Sequence, residues 1–157
     1  IYLNVIYPGK SDACIIDRTN FILSGRGKLM TRRLISSGST FEAEIGYSRA
    51  VVEGDWIFVS GTTGFDYSTM SISEDLLEQA EQCFKNIELA LKQADSSLKD
   101  VVRVAYVLPE VTDFEKCWPV FRKYLGNVRP AAMMISAGLS DPRMRIEIQV
   151  TARKRVA

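Results

Sequence analysis

Residues 143–153, RMRIEIQVTAR, alternate without interruption. Met144, Ile146, Ile148, Val150 and Ala152 fall on one side of an extended chain, and Arg143, Arg145, Glu147, Gln149, Thr151 and Arg153 on the other. Successive side chains of a strand point to opposite faces of its sheet. The segment therefore calls for a sheet packed on one face and polar on the other, with helices on one side only.

Further elements agree. Arg33-Leu34-Ile35 reads as a short first strand. Tyr47–Val52 and Trp56–Ser60 are apolar runs joined by Glu53-Gly54-Asp55, the chemistry of a hairpin turn, and Gly61-Thr62-Thr63-Gly64 ends the second run. Ser71 and Glu74 have capping-box spacing. After them Leu76, Leu77, Ala80, Cys83, Phe84, Ile87, Ala90, Leu91 and Ala94 recur at helical spacing. Glu81–Lys85 and Glu88–Lys92 on the opposite face form i,i+4 pairs. Asp100–Leu108 reads as a central strand stopped by Pro109. Asp113 is the expected N-cap of a second helix carrying Phe114, Cys117, Phe121, Tyr124 and Leu125 on one side, with Pro119 marking a kink or an irregular first turn. Ala131–Ala137 reads as a strand before the alternating segment.

The expected order is β-β-β-α-β-α-β-β, an α+β fold with a single sheet and two helices on one face. The uncovered face suits solvent or another subunit, and the polar side of the last strand would line an intersubunit cleft. Residues 1–29 lack a sustained period, whereas Met30 opens MTRRLISSGSTFE like a natural start. The expectation is a leader, vector-derived or mis-started, or a loosely attached extension over 1–29, and one domain over 30–157.

Composition narrows the chemistry. The chain has 157 residues and no histidine, which removes Ser-His and Cys-His pairs and every His-based metal site. Acid–base work falls to Glu, Asp, Lys, Tyr, Cys, backbone or water. Cys14, Cys83 and Cys117 are odd in number and widely spaced, which disfavours a disulfide framework or zinc site and suits buried thiols in a reducing, cytoplasmic setting. A net charge of +1 gives no case for nucleic acid or an anionic membrane, and no apolar run approaches the ~20 residues of a membrane span.

Local motifs over residues 31–153 resemble the reactive-intermediate deaminase (Rid/YjgF) family. They are Gly46-Tyr47-Ser48 with Ala50-Val51, the run Gly54–Gly61, the helix through Gln79, Asn86 and Ile87, Ser97–Val102, Asp113-Phe114, Arg129-Pro130-Ala131 and Ile146-Glu147-Ile148. The resemblance implies a chorismate-mutase-like fold and a homotrimer with a pocket at each subunit interface. It implies hydrolysis of a small 2-imino acid to a 2-keto acid and ammonia, without a metal or organic cofactor. In active members an arginine binds the substrate carboxylate, and a glutamate positions the attacking water.

Carried onto this chain, Glu147 falls on the water-positioning glutamate, with a polar residue on a solvated strand face as the alternative reading. Tyr47 and Ser60, followed by Gly61, fall on pocket positions; a core role for Tyr47 and a local backbone partner for Ser60 are the alternatives. The family's Pro-Ala-Arg-Ser appears as Pro130-Ala131-Ala132-Met133, so Ala132 stands where the clamp arginine belongs. Gly-Pro-Tyr is Gly46-Tyr47, the pocket asparagine of the second helix is Trp118, and Met134 follows two residues after Ala132. Losing a bidentate guanidinium–carboxylate contact in a desolvated pocket costs roughly two to four orders of magnitude in affinity or rate. Arg49 is the first choice for a substitute anion contact, ahead of Arg145 and Arg129, each of which also reads as an ion-pair residue at a surface or between subunits.

Two functions stay open: a divergent hydrolase of a small imine, enamine or related C–N bond using Glu147 and water, and a non-catalytic homotrimer binding a small metabolite in the same cleft. Ribonuclease activity, attached to some members of the family, has no basic excess or paired acid and base behind it.

Overall fold

The computed structural model describes residues 32–155. The expectations for residues 1–29 and for Cys14 lie outside the described residues. The alternating segment does the work its sequence demands. Strand β8 (Glu147–Arg153) buries Ile148, Val150 and Ala152. It pairs antiparallel on one side with β3 (Trp56–Thr63) and on the other with β6 (Val101–Leu108). Around them lie β1 (Arg32–Ile35), β2 (Ala50–Glu53) and β7 (Ala131–Ser136), giving a six-stranded sheet in the order β1-β2-β3-β8-β6-β7. Only the β6–β7 pair is parallel, and the chain between these strands carries the second helical region across the sheet.

The Glu53-Gly54-Asp55 hairpin forms as expected: Glu53 pairs with Trp56, and Gly54 has φ +59°. Strand β2 begins only at Ala50, so Tyr47 and Arg49 precede it rather than sharing its face. Strand β3 runs past Ser60 to Thr63 by absorbing a bulge between Val59 and Thr62. Residues 143–146 approach β8 without joining it.

A short helix and a small hairpin are not foreseen in the sequence. A one-and-a-half-turn helix, α1 (Thr40–Ile45), closes on Gly46 at φ +85°. A small antiparallel pair, β4 (Phe65–Asp66) and β5 (Ser71–Ile72), absorbs Ser71, so Ser71 does not cap the helix. Helix α2 (Leu76–Gln93) instead begins after Asp75, whose carboxylate accepts from the Glu78 amide. Its buried stripe matches the expected one except that Leu77 is exposed and two amides, Gln79 and Asn86, are buried with the apolar residues. Burying Phe84, Ile87 and Leu91 contributes about 1.5–3 kcal/mol each.

Pro119 divides the second helical region. Helix α3 (Asp113–Lys116) stops at Cys117, and α4 (Trp118–Leu125) restarts with the proline in its first turn, where its missing N–H costs nothing. Asp113 lies inside α3 rather than capping it, and its carboxylate pairs with Arg145 and Lys116, each at 2.8 Å. Glu81 likewise leaves its expected partner and reaches α4, bonding Lys123 at 2.7 Å and the Tyr124 hydroxyl at 2.6 Å. Phe84, Tyr106, Phe114, Phe121 and Tyr124 stack in one aromatic cluster between α2, the α3–α4 region and β6.

Both long helices therefore cover one face of the sheet. The other face is less polar than β8 alone suggests, because Trp56 and Phe58 of β3 and Met133 and Ile135 of β7 stand exposed on it. Among the described residues no helix is long and apolar enough to cross a membrane.

Gln79 ties α2 to the sheet's irregular approaches. Its Nε2 donates to the Ser73 and Arg143 carbonyls at 2.7 and 2.8 Å, and its Oε1 accepts from the Arg145 amide at 2.8 Å. The side chain is fully buried, so its removal strands three backbone groups. Gln79→Ala is expected to lower unfolding stability by about 3 kcal/mol, read from urea denaturation.

Candidate active site

The bulge in β3 brings the candidate site together. Val59 faces Val150 and Thr62 faces Ile148, so Ser60 and Gly61 together oppose the single residue Gln149. The extra residue re-aims the strand and sets Gly61 beside the carboxylate of Glu147. A Cβ at position 61 would overlap the Glu147 Oε1; only glycine lets that carboxylate lie against the backbone.

The bulge is laced to the segment before β2. The Ser60 amide donates to the Arg49 carbonyl at 3.0 Å, and the Ser60 hydroxyl donates to the Ser48 carbonyl at 2.7 Å. The Thr62 hydroxyl donates to the Ser60 carbonyl at 2.8 Å. Ser60 thus spends its proton on local backbone. From the helix side, Asn86 Nδ2 donates to the Thr63 and Phe65 carbonyls at 3.2 and 2.8 Å, pinning the strand's end.

Arg49 is only 2% exposed. Its Nη1 donates to the Gly61 carbonyl at 2.8 Å and to Thr62 Oγ1 at 3.2 Å, and its Nη2 donates to the Tyr47 hydroxyl at 2.9 Å. The guanidinium also lies over the rings of Tyr47 and Tyr67, at 5.4 and 4.9 Å from their centroids. Its Nε finds no hydrogen-bond partner among the described residues and stands 3.8 Å from the Glu42 carboxylate. Burial would raise the pKa of Glu42, but hydrogen bonds from Ser36 and Ser37, together with the charge of Arg49, hold it below its ordinary value.

Glu147 is half-buried, and desolvation raises its pKa above the ordinary 4.5 while the positive charge of Arg49 works the other way. A carboxyl poised in this manner against bare backbone can hold a water and exchange a proton with it.

Tyr47, Arg49, Ser60, Gly61 and Glu147 thus converge within one chain. Ala132, Met134 and Trp118 do not join them. Ala132 pairs with Val104, whose other partner is Val150, whereas Glu147 pairs with Val107. Two strand spacings and three residues of rise place Ala132 and Glu147 roughly 14 Å apart, on opposite faces. Met134 packs on the core, and the Trp118 ring meets Phe114 edge-on at 6.2 Å, leaving Trp118 exposed. Arg145 is engaged with Asp113, and Arg129 Nε reaches only the Gly126 carbonyl, at 3.4 Å. Glu42, Thr62 and Tyr67 are site neighbours that the sequence reading did not single out. A cleft of about 400 Å³ opens beside Arg49 and Tyr67 against Lys85 and Asn86 of α2, and Glu147 does not line it.

The family described as Endoribonuclease L-PSP matches residues 37–154. The chain belongs to that family. Among its relatives, a RutC family protein of Pyrococcus abyssi is 34% identical over 109 residues, covering 69% of this chain and 86% of the relative. A human protein named 2-iminobutanoate/2-iminopropanoate deaminase is 30% identical over 124 residues, covering 78% of this chain and 90% of its own. A solved Mycobacterium tuberculosis member of the YjgF/YER057c/UK114 family superposes with TM-score 0.73 at 34% identity, covering 79% of this chain and all of that one. The Rid/YjgF resemblance and the α+β fold expected from sequence are both upheld by these matches.

The raised pKa of Glu147 gives a signed test. A carboxyl whose folded pKa exceeds its unfolded one stabilises the fold below 4.5, and that contribution is lost as pH rises through the raised value. Glu147→Gln, which mimics the protonated form, is expected to be more stable than the wild type at neutral pH. The difference should close as the pH falls to 4.5, measured by thermal or urea unfolding across that range.

Proposed function

We propose that this chain hydrolyses a small imine, enamine or related C–N bond in a cleft completed by a second subunit of a homotrimer. The observation that carries the reading is the Glu147 carboxylate, half-buried on the bare Gly61 backbone with a raised pKa. Glu147 would hold a water and take a proton from it as the oxygen attacks the carbon of C=N. Returning that proton to nitrogen gives a carbinolamine, and passing its hydroxyl proton to the same nitrogen through the carboxylate lets the C–N bond break as C=O forms, leaving a carbonyl product and ammonia or an amine. An imine carbon is already electrophilic, so the residues present suffice without a metal or organic cofactor.

The deaminase named among the human relatives supports the reaction class. Support for the trimer comes from the exposed side chains of Trp56, Phe58, Met133 and Ile135 on the uncovered sheet face, and from the outer edge of β7, which pairs with no strand among the described residues. An intersubunit cleft would also bring Ala132 and Trp118 of one chain to Glu147 of another. With Ala132 and Trp118 on its second wall, that cleft has no cation at the position of the clamp arginine and favours a substrate without the 2-carboxylate.

A second reading, a metabolite-binding trimer without turnover, is favoured by Ala132 alone. One assay separates them: 2-iminopropanoate and a carboxylate-free imine are generated in situ and their loss is followed. Wild-type protein is expected to turn over the carboxylate-free imine faster, Glu147→Ala to lose about a hundredfold, and Ala132→Arg to gain about a hundredfold on 2-iminopropanoate. Turnover insensitive to Glu147→Ala would sink the catalytic role. No turnover by either wild type or Ala132→Arg, with ligand binding retained, would favour the second reading.

A further inference from the structure

We infer that Arg49 is a positioning residue for Glu147, acting through Gly61: it anchors the carbonyl of the residue against which the carboxylate lies and supplies the buried positive charge that faces it. The role of Glu147 rests on the reading above; the coupling of Arg49 to Glu147 does not.

The geometry is a sandwich around one residue. Arg49 Nη1 donates to the Gly61 carbonyl at 2.8 Å, while the Glu147 carboxylate occupies the space where a Cβ of Gly61 would stand. A bulge is the least constrained point of a strand, because its extra residue lacks a regular ladder partner. Here the guanidinium fork replaces that partner, bonding Gly61 and Thr62 on one arm and Tyr47 on the other.

Arg49 also differs from an ordinary buried ion-pair residue. Its approach to Glu42 is long, 3.8 Å from an Nε that makes no hydrogen bond among the described residues, and the Glu42 carboxylate is already held by the Ser37 amide and hydroxyl at 2.9 and 2.6 Å. Much of its charge is therefore left facing polar backbone, two aromatic rings and, across Gly61, Glu147. Burying a guanidinium is expensive unless something uses it.

Among the described residues, the other groups around Glu147 offer no competing charge. Thr63 of β3 and Val107 of β6 flank it in the sheet, and from α2 comes Cys83, a buried thiol whose pKa is pushed up first by burial and then by Glu147 itself. Tyr67 is coupled to Arg49 and Cys83, and burial raises its pKa too, so it stays neutral at working pH. Arg49 is the cation that opposes the desolvation of Glu147.

The test reads the carboxylate directly. The side-chain carboxyl carbon of Glu147 is titrated by 13C NMR in wild type, Arg49→Gln and Arg49→Lys, with Glu147→Gln assigning the resonance. The expected result is an upward-moved titration in Arg49→Gln and an intermediate one in Arg49→Lys, which keeps the charge but cannot span Gly61 and Tyr47 together. Where the wild type turns over a C=N substrate, kcat falls about tenfold in Arg49→Gln at neutral pH, with its acid limb moved in the same direction. A folded Arg49→Gln whose Glu147 titrates as in wild type overturns the inference. Should that variant fail to fold, a wild-type titration in Arg49→Lys overturns it instead. If the titration moves as expected but no C=N compound is turned over by the wild type, the catalytic reading fails and the coupling stands.

Discussion

The contact between Gly61 and the Glu147 carboxylate sets terms for much of the surrounding structure. It exists because β3 carries one residue more than β8 can match, and it would be relieved at little cost by a slip of the bulge. The fold prevents that slip from three directions. Arg49 holds the Gly61 carbonyl, Ser60 is bonded to the Ser48 and Arg49 carbonyls, and Asn86 pins the two residues that flank Gly64. Gly64 itself packs so closely on Gln79 that a Cβ there would strike the helix backbone. Asn86 thus bonds the end of β3 from which the site is built, and Gln79 packs on the glycine that follows it.

The parts of the fold legible in sequence were those in which one local signal met no competitor. The alternation in 146–152 leads directly to the buried row Ile148, Val150 and Ala152, and Gly54 to a two-residue hairpin. Boundaries failed where two signals of equal local merit overlapped. Ser71-x-x-Glu74 and Asp75-x-x-Glu78 are both capping-type spacings separated by four residues, and only the pairing of Ser71 with Asp66 across a small hairpin decides between them. Pro119 allowed a kink or a fresh start, and burial of Cys117 at the junction fixes the fresh start. Glu81 illustrates the limit of the i,i+4 rule: Lys85 is four residues away, but Lys123 and Tyr124 together offer a better-ordered partner from another helix.

Within the site, the sequence motifs pointed to Tyr47, Ser60, Gly61 and Glu147 and singled out Arg49 as an anion contact, but the hydrogen bond between Arg49 and Tyr47 just before β2 was not legible in them. Glu42 and Tyr67 carried no such signal. Glu42 reads as one more charged residue of a short polar stretch, and Tyr67 sits in a turn of a hairpin too short to show a period. Both become site residues only because the chain returns to Arg49 from distant positions, and such long-range convergence leaves no local trace.

The distance between Ala132 and Glu147 within one chain bears on how such a site can change. Glu147 is held by β3, β8 and the Arg49 network, while Ala132 lies on an edge strand with one sheet partner and an exposed side chain. A substitution at position 132 therefore disturbs neither the bulge nor the buried charge. On the proposed reading, the wall that recognises the substrate and the group that holds the water belong to different chains, so recognition can be rebuilt without moving the reacting carboxylate. On that reading, the absence of a cation at Ala132 would change the class of substrate and leave the half-site around Glu147 intact. The same separation places the electrostatics of Glu147 under the control of its own chain, where Arg49 is the buried cation within reach.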